Sequence, residues 1–269
     1  MNFQIIRTLT ENTINKEFRS KAITFIFIFT FIVITLIKIL LDFINTNFNI
    51  SGGSIGGEGF FIIFLGLSSI SSITSILLGL NCVSSDFASS SISQILSFPI
   101  RRVEYLISRI LGAWIISLVL FIISIIYSIV LFSLYTPGTL EFGGLFVAII
   151  SMSANMLTLA TLAALSSLYM PKMYAFIFLF IFRVFLSSVN TSFMSSGGQE
   201  LFANLSIFKV IRLIFYFFFP RVQIMDSYAK SFLGGSDIGV NFFTFYAHYG
   251  VTYILLFALL AFIFSRRDI

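Results

Sequence analysis

The sequence predicts an all-α integral membrane protein. It has six transmembrane helices, an N-terminal amphipathic interfacial helix, a short polar helix between spans 2 and 3, and short external helices between spans 5 and 6. Three observations predict this class. The 269 residues are 58% apolar and only 10% charged, against about 45–50% and about 25% in soluble domains. Apolar runs close to the roughly 20 residues that cross a bilayer recur along the whole chain. Lys and Arg stand at the ends of those runs. That is the positive-inside pattern rather than a nucleic-acid footprint, despite a net charge of +5.

Residues 1–21 interleave Arg7, Lys16, Arg19 and Lys21 with Phe3, Ile6, Leu9, Ile14 and Phe18. That spacing predicts an amphipathic helix in the plane of the membrane, and no small-residue cleavage site follows to make it a signal peptide. Spans are predicted at 22–43, 60–81, 110–134, 145–168, 173–189 and 243–264, in one transmembrane domain covering residues 1–269. Residues 51–59 (SGGSIGGEG) are too polar to cross and read as a glycine-rich loop. Residues 201–219 are apolar but carry Lys209 and Arg212 near the middle. Burying both at mid-bilayer would cost about 2.5–3.5 kcal/mol each. A seventh crossing would also put Arg266 and Arg267 opposite Lys16, Arg19 and Lys21. The stretch is therefore expected to lie in, or dip into, the outer interface and to end at Pro220. Residues 190–242 form an external segment, and both termini are expected on the cytoplasmic side. No internal repeat marks an inverted-repeat transporter.

Few residue types here could perform chemistry. One Cys (Cys82) and one His (His248) exclude a disulfide framework, a CxxC motif or a His-rich metal site. The glycine-rich stretch lacks the GK[ST] of a phosphate-binding loop, and no hydrolase motif is present. The chain is therefore expected not to be an enzyme and to bind no cofactor directly. His248, between Tyr246 and Tyr249, reads as an interfacial belt residue. Met152 and Met156 read as gap-filling core rather than a soft-metal path.

Polar residues inside the spans are more informative. Ser68, Ser72 and Ser75 make a hydroxyl stripe at i, i+4, i+7, and Ser151, Asn155 and Thr158 repeat the spacing in the fourth span. Such stripes serve close helix packing before they serve a substrate-lining surface. Arg183 sits in the middle of the fifth span, where an ionisable group is a functional candidate by default and should face the bundle interior or a cavity. Lys38, nearer an end, can snorkel. Residues 84–98 include the serine-rich run Asp86 to Leu96 (DFASSSISQIL), followed by Pro99 and the pair Arg101-Arg102. This reads as a short helix held off the membrane between two crossings, able to pass force from a cytoplasmic partner into both.

The run ILSFPIRRVEYLISRILG (residues 95–112) resembles the recurring Leu-Leu-Ser-x-Pro-Ile-Ser-Arg-x-Glu-Tyr-Leu segment of the type-2 ABC exporter permeases. Ser97, Pro99, Ile100, Arg102, Glu104, Tyr105, Leu106 and Gly112 match it, and Arg109 keeps the charge of the family's Lys. Phe219-Pro220 with Asp226, and the ending Phe264-Ser265-Arg266-Arg267-Asp268, are similar to two further family features. The family's Gly-Thr at the start of its coupling segment is Ser90-Ser91 here, and its charged lead-in is reduced to Asp86.

The resemblance implies a permease subunit of an ATP-driven exporter in a bacterial cytoplasmic membrane. Residues 1–21 would be its elbow helix. Asp86, Phe87, Ser90, Ser91, Ile92, Ile95, Leu96 and Pro99 would form the coupling helix that docks on a cytoplasmic ABC ATPase. ATP and Mg would be bound by that partner. A second permease chain, identical or not, would complete the pathway. The alternative in another class is a non-transporting membrane component whose ATPase-driven motion works on an external or accessory protein through residues 190–242.

Overall fold

The computed structural model describes residues 3–19, 21–48, 55–88, 91–98, 100–133, 142–195, 206–222 and 242–266. Its helices are α1 (Phe3–Phe18), α2 (Lys21–Phe48), α3 (Ile55–Ala88), α4 (Ser91–Leu96), α5 (Arg102–Ser133), α6 (Phe142–Ser167), α7 (Lys172–Ser195), α8 (Ile207–Phe218) and α9 (Phe242–Arg266). No strand occurs among the described residues. Six helices are long and apolar enough to cross a membrane, over Ile23–Ile44, Ile63–Phe87, Arg102–Leu131, Gly144–Ser167, Lys172–Val189 and Phe245–Arg266. The protein is an all-α, multi-pass membrane protein.

Helix ends follow local chemistry more closely than apolar content does. α3 starts at Ile55, inside the stretch expected to be a loop, and runs on to Ala88. A spanning helix needs apolar side chains only over the hydrocarbon, so its polar ends can continue into the interface. As a result residues 84–88, expected in the polar connection, belong to α3, and only Ser91–Leu96 form the separate helix α4. α5 likewise begins at Arg102, eight residues before the predicted span. Pro171 stands just ahead of α7, where a missing N–H does no harm, and its carbonyl accepts from the Ala175 amide at 3.0 Å.

α3 and α6 form the centre of the bundle. Some 67% and 61% of their spanning windows are buried, against 22% for α2 and α7 and 28% for α9. Small residues make this contact possible. A Cβ at Gly79 would stand 2.6 Å from the Ala160 carbonyl oxygen and 2.8 Å from its Cα, so the two backbones touch there. The outer helices leave large apolar side chains uncovered, among them Phe25, Phe29 and Leu36 on α2, Ile177 and Ile181 on α7, and Ile254 and Leu255 on α9. In a bilayer these are the residues that meet acyl chains.

α8 does not cross. Its 12 residues extend about 18 Å, short of the roughly 30 Å hydrocarbon core. It runs antiparallel along α7. Leu213 packs on Val189, and Phe215 meets Phe185 at 5.3 Å and Phe182 at 5.8 Å. Phe219 meets Phe182 at 5.4 Å. Past Pro220, Val222 reaches Leu179, Leu162 and Leu256 in the core. The chain therefore enters the bundle beside the second half of α7 and penetrates to its middle. Residues 206–219 thus pack along α7 rather than standing apart from the bundle. Residues 201–205 lie outside the described residues.

Candidate functional site

The polar end of the bundle is built around one buried carboxylate. Asp86, in the last turn of α3, is 1% exposed. Its Oδ1 accepts from Lys16 Nζ of α1 at 2.9 Å, and its Oδ2 lies 2.5 Å from Arg109 Nη2 of α5. The Tyr105 hydroxyl donates to Oδ2 at 2.6 Å. Arg109 is itself buried, donates through Nη1 to Thr13 Oγ1 at 2.8 Å, and stands 5.3 Å from the Tyr105 ring centroid. A charge taken out of water needs both a counter-charge and hydrogen bonds. Asp86 obtains both from two different helices.

A second set of contacts extends this cluster. Asn81 of α3 donates to Glu17 Oε1 at 2.7 Å, and its own Oδ1 accepts from Lys172 Nζ of α7 at 2.7 Å. Arg102 Nη1 donates to the Ser265 carbonyl of α9 at 2.9 Å, and Tyr105 stacks on Phe264 with ring centroids 5.8 Å apart. A Cβ at Gly112 would lie 2.7 Å from Thr13 Cβ, so α1 rests directly on the α5 backbone. α1, α3, α5, α7 and α9 are thus joined at a single end of the bundle. Lys16, Arg102, Arg109, Lys172 and Arg266 gather there, as the charge pattern required.

α4 closes this end. Ile92 is 4% exposed and packs into the cluster with Tyr105, Leu106 and Phe264, while Phe87 and Ile95 pack against its edge. Of the residues expected to meet an ATPase, Asp86 and Ile92 therefore face the bundle, and Phe87 and Ile95 are half-buried. Ser91 and Leu96 are placed in α4. Ser90 and Pro99 lie outside the described residues. Gln94, Ser97 and Phe98 are exposed and lie in or beside α4.

The hydroxyl stripes are buried, and part of each bonds across to a neighbouring helix. Ser75 Oγ donates to the Met156 carbonyl at 2.6 Å across the α3–α6 seam. Ser68 and Ser72 bond back to Leu65 and Ser68 carbonyls within α3. On the other side of α6, three tyrosines of α9 reach across. Tyr246 pairs with Ser151 and Tyr249 pairs with Thr158. Tyr249 also donates to the Ala154 carbonyl at 2.8 Å, and Tyr253 lies 3.3 Å from Thr161. Ser68, Ser72, Ser75, Ser151, Asn155 and Thr158 are all buried, so they offer no open lining within this chain.

Arg183 lies halfway along α7, partly exposed, on a small pocket shared with Leu159, Leu162, Leu179, Phe182 and Val222. The other residues lining that pocket are apolar. Lys38 is buried and pairs with Asp42 one turn on. His248 Nε2 stands 3.0 Å from the Phe217 carbonyl, tying α9 to the last turn of α8. Among the described residues no group of three His, Cys, Asp or Glu could hold a metal ion.

Tyr105 and Arg109 entered the sequence reading only as matches to a motif, Lys16 only as a charge of the N-terminal helix, and Glu17 not at all. The signal that could have joined them is Asp86, an acidic residue next to an apolar run with no acidic neighbour to share solvent. No protein-family model matches the sequence, and no curated protein matches it.

Proposed function

We propose that this chain is the membrane-spanning subunit of an ATP-driven exporter of the type-2 ABC kind. In this reading the Asp86 end of the bundle faces the cytoplasm of a bacterium, with both termini on that side. ATP and Mg are bound and hydrolysed by a separate cytoplasmic ATPase, so the chain itself is not an enzyme. A second permease chain completes the pathway.

The observation that carries the reading is the anchorage of α4. A six-residue helix sits between two spans at the basic end, with Ile92 in the same buried cluster as Tyr105, Leu106 and Phe264. The carboxylate just before it, Asp86, holds α1 and α5 together. In this reading a push on α4 from outside the membrane acts on α3, against which it packs, and through Asp86 on α1 and α5. The alternative, work on an external protein, needs residues 190–242 to project. Of these, residues 206–222 lie along α7 and in the core, while 196–205 and 223–241 lie outside the described residues.

The test is replacement of residues 91–96 by a Gly/Ser linker in the chain co-expressed with its ATPase. Transport into inverted vesicles should fall to background while ATP hydrolysis continues. Full transport by the linker variant would remove the coupling role, and ATPase-dependent function without movement of any solute or lipid would favour the alternative.

A further inference from the structure

α1 rests on the bundle through a largely polar seat. Its buried stripe is Ile6, Thr10, Thr13 and Glu17, at steps of four, three and four residues along one helix face. Thr10 reaches the Ser108 carbonyl of α5 at 3.4 Å, and Thr13 accepts from Arg109 at 2.8 Å. Glu17 accepts from Asn81 of α3 at 2.7 Å, and Lys16 donates to Ser85 and Asp86 of α3, each at 2.9 Å. The apolar share of the seat is Ile6, which is buried, with Ile14 half-buried against the cluster around Tyr105. Phe3 and Phe18, at the two ends of α1, are exposed, as are Gln4, Thr8, Asn12 and Asn15.

Three features let this helix leave its seat without disturbing the rest. Hydrogen bonds at the surface are exchanged for bonds to water at little net cost, whereas a spanning helix has only lipid to turn to. Asp86 does not depend on α1. When Lys16 departs, the carboxylate keeps Arg109 Nη2 and the Tyr105 hydroxyl, both on α5, so no buried charge is stranded. Only residues 19 and 20 join α1 to α2. The freed helix therefore stays at the membrane surface, where Phe3 and Phe18 can enter the interface.

We propose that α1 is a lid, which lifts from α3 and α5 as one unit onto the membrane surface while the six spans stay assembled, and so admits water to the Asp86 cluster. Salt favours the open state, because the Lys16 side chain is 43% exposed and its pair with Asp86 is screened. Cys82 lies beneath the lid. It is 3% exposed, follows Asn81 and stands one turn before Asp86 on α3, and both of those residues bond to α1. On the exporter reading, on which this last step rests, the lid is a clutch: with α1 lifted, a push on α4 reaches α3 and α5 but no longer α1. The opening itself does not need that reading.

The experiment uses the chain alone in nanodiscs, without its ATPase, so that failure here is separable from failure of the transport reading. Hydrogen exchange is followed by mass spectrometry, together with alkylation of Cys82, the single cysteine, by N-ethylmaleimide. The amides of α1 should exchange as one group, ahead of those of α3 and α5. K16Q should raise both α1 exchange and Cys82 alkylation about fivefold, the limit for a partly exposed ion pair, with α3 and α6 as protected as in the wild type. Added KCl should move the wild type toward K16Q and change K16Q little. Y253F, which alters the contact of α9 with α6, should leave both rates as they are. Protection of α1 equal to that of α5, or a K16Q alkylation rate no higher than the wild type's, would overturn the proposal. So would loss of α3 and α6 protection in K16Q, or an equal rise in alkylation in Y253F, since the bundle as a whole would then be loosening.

Discussion

Replacing Asp86 by Asn is the sharpest probe of the basic end. The carboxylate is 1% exposed and contacts two cations of different standing. Lys16 has a side chain 43% exposed, so water screens that pair and its loss costs at most about 1 kcal/mol. The Arg109 side chain is 4% exposed and would be left as a buried charge without its counter-ion, a loss of about 3–5 kcal/mol. Asn can still accept from the Tyr105 hydroxyl, so that hydrogen bond survives in weakened form. With about 2–4 °C of Tm per kcal/mol in a chain of this size, D86N should melt about 10 °C below the wild type. The assay is thermal unfolding in detergent followed by the monodisperse fraction on size exclusion, with both proteins heated at one rate because unfolding of this kind is irreversible. D86N/R109M removes both charges and should recover more than half of the lost stability, since an apolar pair can replace a buried ion pair. Wild-type melting of D86N, or no recovery in the double variant, would refute the account of Asp86 as the counter-ion that makes burial of Arg109 tolerable.

Three further outcomes follow from the packing. G79A should lower stability by about 1–3 kcal/mol, because its methyl meets Ala160 backbone that has nowhere to move; melting with and without the substitution measures it. Y249F loses its bonds to Thr158 and the Ala154 carbonyl and should cost about 0.5–1.5 kcal/mol, with a smaller effect for Y253F, whose contact with Thr161 is longer at 3.3 Å. R183A should reduce transport at normal expression and R183K should restore it only in part, since a lysine keeps the charge but not the planar donor fork; full transport by both variants would make Arg183 a tolerated passenger.

The six spans were legible because lipid imposes one requirement, an apolar run of fixed length, and writes it into composition. Helix ends were less legible, because past the hydrocarbon nothing forces a helix to stop. α3 therefore runs through Asn81, Ser84 and Asp86 to Ala88. The hydroxyl stripes could be read as packing from spacing alone, but their partners could not. Tyr246, Tyr249 and Tyr253 reach α6 from more than 85 residues away. The Asp86 cluster was hidden for the same reason: Tyr105 and Arg109 stand one turn apart on α5, but Lys16 and Asp86 lie on other helices and meet them only through the packing of α1 and α3 on α5. The placement of 206–219 against α7 was not legible either, since Phe182 of α7 gives Phe215 and Phe219 a surface that the segment's own sequence does not announce.

The two sides of α6 differ in kind, and the difference decides where this bundle can change shape. Toward α3 the contact is backbone on backbone at Gly79 and Ala160, a bearing with no play, so those helices can only move as one body. Toward α9 the polar contact is made by phenol side chains held at arm's length. A phenol can swing, and the hydroxyl of a neighbouring rung can accept it after a shift of one turn. Sliding of α9 along α6 would therefore exchange one hydrogen bond for another, whereas separating α3 from α6 would open a void in the centre of the protein.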